Sequence, residues 1–151
     1  MRAVVQRVVR ASVVSRTSPD DEYVEVGSIG SGLCVLVGVT HDDGPDQADR
    51  LADKLARVRV FDDADGVMNV GADDAGAEFL VVSQFTLYGD VSKGRRPSWV
   101  SAARPDHAEP LVERVVERLR AGGAIVATGR FRTDMRVELV NDGPVTLVIE
   151  V

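Results

Sequence analysis

A chain of 151 residues, 44% of them hydrophobic, is long enough to enclose its own apolar core as one domain, 1–151, without disulfide or metal staples. Its net charge of −6 argues against a protein that coats nucleic acid nonspecifically, but leaves room for a local basic patch that handles one nucleic-acid end. A single cysteine permits no internal disulfide, and neither a basic-plus-apolar leader nor a run of membrane-spanning length is visible, so a soluble cytoplasmic protein is expected.

Residues 1–14 are rich in β-branched side chains and alternate imperfectly, which predicts a strand. Residues 15–21, with Pro19, form a polar loop. Residues 23–26 alternate, 27–32 predict a turn, and 33–39 predict a strand buried on both faces, with Cys34 as a small buried hydrophobe. Asp42 or Asp43 as cap, Pro45 near the first position and the stripe Ala48, Leu51, Ala52, Leu55, Val58 predict an amphipathic helix. The cluster Asp62-Asp63-Ala64-Asp65-Gly66 fails the spacing of a calcium loop and reads as an Asp-Gly turn.

Residues 78–82 predict a second buried strand, leading into Ser83-Gln84-Phe85-Thr86. A second helix carries Leu111, Val112, Val115, Val116 and Leu119 to a Gly122-Gly123 stop. Pro105 suits its first turn, whereas Pro110 predicts a late start or a bend. Strands at 125–127, 137–140 and 145–149 complete the chain. Gly143-Pro144 falls between the last two, where a proline with no N–H predicts a turn. It reads either as a plain hairpin loop or as two neighbouring carbonyls aimed at a ligand, and at this position alone both readings stand. The pattern predicts one compact α+β domain, a strongly twisted antiparallel or mixed sheet or barrel-like β core with two main helices.

Most conventional chemistry lacks its residues. The two histidines, His41 and His107, are far apart in sequence, and no His-Glu-x-x-His, no Gly-x-Ser-x-Gly elbow, no P-loop and no Gly-x-Gly-x-x-Gly occurs. No metal and no cofactor are expected. Ser83-Gln84-Phe85-Thr86 remains: a polar stretch at a strand end, where amide, hydroxyl and backbone donors either bind an oxyanion or satisfy local backbone groups. Lys93-Gly94-Arg95-Arg96-Pro97 holds three cations in four residues, a solvated loop or a phosphate contact.

Taken together, these stretches resemble the D-aminoacyl-tRNA deacylase family over essentially the whole chain. The first strand Met1-Arg2-Ala3-Val4-Val5-Gln6-Arg7-Val8, the signature Val82-Ser83-Gln84-Phe85-Thr86-Leu87-Tyr88-Gly89-Asp90, the segment Lys93-Gly94-Arg95-Arg96-Pro97-Ser98 and the second signature Asn141-Asp142-Gly143-Pro144-Val145-Thr146 carry the resemblance. It implies the deacylase fold and a chiral-proofreading hydrolase that cleaves D-amino acids, and glycine mischarged onto tRNA(Ala), from the 3′-terminal adenosine of tRNA. It also implies a homodimer in which a cis Gly143-Pro144 of one subunit enters the other's pocket and receives the substrate's ammonium on its two carbonyls. Ser83, Gln84, Phe85 and Thr86 are the implied catalytic residues, with Phe131, Met135, Asn141, Val145 and Thr146 lining the pocket and Arg7, Lys93, Arg95 and Arg96 meeting tRNA phosphates.

On this reading Gln84 and the N–H of Phe85 or Thr86 stabilise the oxyanion, and water attacks with help from the ribose 2′-OH. An older family reading, with Thr86 as nucleophile, ranks second because no activating His or Lys is apparent. A non-enzymatic dimeric module that binds aminoacyl-tRNA is the alternative from another class. The chain departs from the family pattern in a longer loop at 15–23, in Val67, in Trp99, and in Arg132-Thr133 where small residues are usual. Of these, Arg132 lies beside the pocket approach and bears on adenosine or amino-acid preference. A related branch has a trans Gly-Pro and a different first signature, so Ser-Gln-Phe-Thr points to the cis, D-specific branch.

Overall fold

Valine-rich alternation carries Arg2–Arg16 through one long strand, β1, around which the sheet is organised in a computed structural model that describes residues 1–92 and 94–151. One edge of β1 pairs antiparallel with β2 (Val24–Ile29) and then with β3 (Gly32–Gly38). Ala11 opposes Ile29 and Val8 opposes Gly32, so the register runs on unbroken from β2 into β3. Residues 27–32 therefore make no reversal, contrary to the turn expected there. The chain only bends at Gly30-Ser31 and continues along the same partner.

Next come α1 (Pro45–Arg57), a small hairpin of β4 (Arg59–Asp62) and β5 (Met68–Gly71), and β6 (Glu78–Ser83). The hairpin closes through the Asp-Gly turn, with Asp63 N–H donating to Val67 O at 2.8 Å and Gly66 at φ 74°. A single 3₁₀ turn at Phe85–Tyr88, then α2 (Pro105–Ala121), β7 (Val126–Thr128) and β8 (Asp134–Glu150) finish the chain. Strands β3, β6 and β7 are parallel neighbours, and β8 lies antiparallel on the free edge of β1. The far strands β2 and β7 come so close that a side chain at Gly27 would sit 2.7 Å from Thr128 O; the sheet is nearly closed into a barrel.

Two apolar clusters divide the sheet's faces. Leu33, Val35, Val37, Phe79 and Val81 point towards the helices and pack with Leu51, Leu55, Leu111, Val115 and Leu119. Their sequence neighbours Cys34, Leu80 and Val82 point the other way, onto Val8, Ala11, Val13 and Ile29. Strands buried on both faces read as continuous apolar runs, which is why β3 and β6 were legible. Burial pushes the Cys34 thiol up to about 11, so it is protonated at neutral pH.

Helix α1 carries its predicted stripe of Ala48, Leu51, Ala52 and Leu55, but Gly44 is its N-cap, and its N–H is accepted by Gln47 Oε1 at 3.0 Å. Asp43, an expected cap, instead accepts from the Met1 ammonium and from Thr40 N–H. Helix α2 starts at Pro105 and runs through Pro110 without a late start. Proline removes one early hydrogen bond there, on an exposed position that water can serve.

Two arginine forks join the helices. Arg114 donates to Asp49 at 2.7 and 2.8 Å, and Arg118 to Asp53 at 2.7 and 2.9 Å. These hydrogen bonds hold both carboxyls below the ordinary aspartate range. A carboxyl depressed in the folded state stabilises above its unfolded pKa, and that contribution is lost as pH falls through the folded value. Asp49→Asn with Asp53→Asn is thus expected to lower the urea midpoint at pH 7, and to lower it by less at about pH 3, below the ordinary aspartate value. Urea unfolding at the two pH values reads the difference.

Candidate active site

Ser83 ends β6, and Gln84 N–H donates to Val37 O at 2.7 Å, which ties the strand end to β3. The chain then tightens into the 3₁₀ turn, with Leu87 N–H on Gln84 O at 3.2 Å and Gly89 N–H on Thr86 O at 2.9 Å. A helix leaves its first N–H groups without internal partners. Here these belong to Phe85 and Thr86, neither of which has an acceptor among the described residues. Gln84 Nε2 donates to Thr86 Oγ1, so the amide is committed to the threonine and the hydroxyl proton is left to point elsewhere. Arg2 holds the turn from β1: Nη1 donates to Leu87 O at 2.8 Å, the guanidinium lies 5.0 Å from the Tyr88 ring centroid, and Nε pairs with Glu150.

A cavity of about 540 Å³ opens beside this strand end. Its floor comes from Val37 and Val39 of the β3 end, one wall from Ser83, Gln84 and Phe85, and another from Pro105, Ala108 and Val112 of α2. Trp99 meets Phe85 edge to face at 5.3 Å, and Phe131, Arg132 and Thr133 complete the lining. Arg132 is the one charged residue among the lining residues. Each histidine has its Nε2 within hydrogen-bond distance of a backbone carbonyl, His41 at Val100 O and His107 at Asp43 O.

The predicted residues divide into two groups. Ser83, Gln84, Phe85 and Phe131 line the cavity, and Thr86 stands exposed beside it. Gly143, Pro144, Asn141, Val145, Thr146 and Met135 do not line it. Met135 and Leu139 pack on the second apolar cluster, while Val145, Leu147 and Ile149 pack on the first. Between them β8 makes a bulge: Gln6 opposes Thr146 and Val8 opposes Asn141. Gly143-Pro144 rides on that bulge, exposed, with a cis peptide bond. The hairpin turn expected at this point is therefore corrected, because the chain keeps its direction and its partner strand on both sides.

Asn141 closes the bulge, its Oδ1 accepting from Val145 N–H at 2.9 Å and its Nδ2 donating to Thr146 Oγ1 at 3.1 Å. Arg7 braces it from below. The side chain is buried, with Nη1 on Val60 O at 2.6 Å and Nε 3.2 Å from Asp142 Oδ2. Arg7 is thus buried and engaged within its own chain, whereas the expected phosphate contact calls for an exposed cation. Arg95 and Arg96 are exposed, and Lys93 lies outside the described residues. Sequence reasoning missed the α2 wall, whose only signal was the small-residue pair Ala102-Ala103 leading into Pro105, and it missed Arg2.

The site thus sits in a cavity at the end of a parallel strand within a mixed, nearly closed sheet. A solved structure titled as a probable eukaryotic D-amino acid tRNA deacylase shares that fold, with a TM-score of 0.80 at 17% identity over 99% of this chain and 98% of the other. The c-Myc DNA unwinding element binding protein superposes with a TM-score of 0.89 at 35% identity, covering 100% and 99% of the two chains. Curated D-aminoacyl-tRNA deacylases of Symbiobacterium thermophilum and Streptomyces avermitilis are 57% and 58% identical, over 99% of this chain and 95% and 99% of theirs. Residues 4–150 match the model described as D-Tyr-tRNA(Tyr) deacylase, and the chain belongs to that family.

Proposed function

We propose that this protein hydrolyses the ester joining a D-amino acid to the 3′-terminal adenosine of tRNA, as a single-domain cytoplasmic homodimer that needs no metal. The observation that carries the reading is the pair of uncommitted N–H donors on Phe85 and Thr86, at the edge of a cavity whose lining residues include no acid or histidine. Donors fixed before the reaction stabilise charge as it develops on the ester oxygen, an effect worth about 100- to 1000-fold per donor. Water adds to the carbonyl carbon, the carbon–oxygen bond to the ribose breaks, and the leaving 3′ oxygen takes a proton that the neighbouring 2′-OH relays. Gln84, bonded to Thr86, orients the turn in this scheme.

Chirality is read by the partner subunit. Gly143 and Pro144, exposed on one chain and framed by Arg7 and Asn141, enter the other's cavity, and their carbonyls hold the substrate's ammonium. With the ammonium fixed, an L side chain meets the wall, so selectivity comes from exclusion. Glycine has nothing to collide and is accepted, including from tRNA(Ala). Arg95 and Arg96, with Lys93, dock the acceptor end.

The test is release of free tyrosine from D-tyrosyl-tRNA and L-tyrosyl-tRNA in the presence of a chelator. Release from the D form alone is expected. Binding without release would favour a non-enzymatic aminoacyl-tRNA-binding module, and loss of activity in chelator would restore a metal. Thr86→Ala is expected to keep turnover within about tenfold of the parent, whereas a covalent threonine route predicts a fall of about 10⁴-fold or more with Thr86→Ser partly active. Single-turnover rates of the two variants separate the routes.

A further inference from the structure

We propose that Arg132 is a substrate-positioning residue that takes a phosphodiester of the single-stranded 3′ end of the substrate RNA, an inference that rests on the deacylase reading. Three observations converge on it. Arg132 is the one non-glycine residue with positive φ among the described residues, at 58°. A left-handed backbone is disfavoured for a long side chain and easy for glycine, and such outliers collect at functional sites. The turn around it is held by its neighbours, with Thr133 Oγ1 donating to Arg130 O at 2.8 Å and lying 2.6 Å from Ser15 Oγ.

The guanidinium also lacks an internal counter-ion. Among the described residues Arg132 makes no ion pair or side-chain hydrogen bond, although it is exposed on the cavity lining. Asp134, the nearest acid in sequence, is already held by the Tyr23 hydroxyl at 2.7 Å and by Arg16 at 2.9 Å. Arg136 stacks on the Tyr23 ring, 4.0 Å from its centroid. Arg16 and Arg136 are thus engaged around Asp134 and Tyr23, and Arg132, on the cavity lining, shares neither partner.

The third observation is the company it keeps. In a chain of net charge −6, one cation stands among otherwise uncharged lining residues. An aminoacyl ester brings its own anion close by, the phosphodiester on the 5′ side of the terminal nucleoside. A planar guanidinium meets phosphate oxygens through two parallel hydrogen bonds, which gives orientation as well as attraction.

Fluorescence anisotropy with a labelled CCA-ended RNA hairpin, between about 50 and 200 mM salt, tests this without requiring catalysis. Arg132→Gly is expected to weaken binding about five- to tenfold and to reduce the slope of log K against log salt by about 0.7, the value for one single-stranded phosphate. Arg132→Lys recovers most of the slope. Glycine suits the backbone at this position, so the thermal midpoint of Arg132→Gly is unchanged or higher, and misfolding does not mimic the effect. Equal affinity and equal slope for parent and Arg132→Gly, or a parent that does not bind the hairpin at the lower salt, overturns the inference. Cleavage of D-tyrosyl-tRNA is read separately: its absence, with the binding difference intact, sinks the deacylase reading and leaves the phosphate contact standing.

Discussion

Gly143→Ala is expected to lower kcat/KM on D-tyrosyl-tRNA by about 100-fold or more and to narrow the ratio of D to L cleavage. Gly143 sits at φ 127°, a backbone region that L side chains rarely adopt. A Cβ there would lie 2.7 Å from Val145 Cγ2 and 2.9 Å from Val145 N. Neither neighbour yields easily: the Val145 amide is held by Asn141 Oδ1 at 2.9 Å, and its side chain packs on the first apolar cluster. The bulge must therefore move, and the two proposed ammonium-binding carbonyls move with it. A misplacement near 1 Å is enough for a loss of that size. Initial rates on both enantiomers, alongside a melting curve, distinguish the outcomes. A parent-like rate and a parent-like D/L ratio would remove the carbonyl clamp from the mechanism, whatever happened to stability.

Local pattern revealed what depends on local pattern. The apolar runs of β3 and β6, the stripe of α1, the Asp63–Gly66 turn and the Gly122-Gly123 stop are all readable because burial and turn chemistry leave a mark within a few residues. Ser83-Gln84 was legible as a polar strand end for the same reason, since the strand it closes has no room for polar groups inside it. The misreadings share one cause, a distant partner. Gly143-Pro144 has the composition of a hairpin turn, and only its continued pairing with β1 makes it a bulge.

Arg7 belongs to the same lesson. In an alternating strand an arginine reads as a solvent-facing cation, yet Val60 O and Asp62 from the β4 edge, with Asp142 from β8, enclose it. The residue expected to greet the RNA instead supports the segment proposed to select the amino acid. Pro110 shows the limit of propensity: its missing N–H was expected to delay the helix start or bend it, but the helix runs from Pro105, with Leu111, Val112 and Val115 buried on its inner face.

Gly32→Ala is expected to be the most damaging single-methyl change to stability, about 3 kcal/mol or more, a fall in melting temperature of roughly 10 °C. Gly32 lies in the middle of the sheet, paired with Val8 on one side and with Glu78 on the other. A Cβ there would fall 1.9 Å from Glu78 O and 2.8 Å from Glu78 N. These are backbone atoms of the adjoining parallel strand, so no rotamer change relieves the overlap and β3 must part from β6. The same pairing carries Val37 beside Ser83, so the strand end that presents the Phe85 and Thr86 donors shifts as well. Gly30→Ala, two residues away, is the control. Its Cβ has only Glu78 Oε2 at 3.8 Å, and its N–H keeps the 2.7 Å bond to that carboxylate, so its melting temperature should match the parent's within a few degrees. Equal melting temperatures for the two variants would mean that β3 and β6 do not approach as closely as this register requires. A loss confined to Gly32→Ala would show that the glycine is there for the neighbouring strand, not for the turn its surroundings suggest.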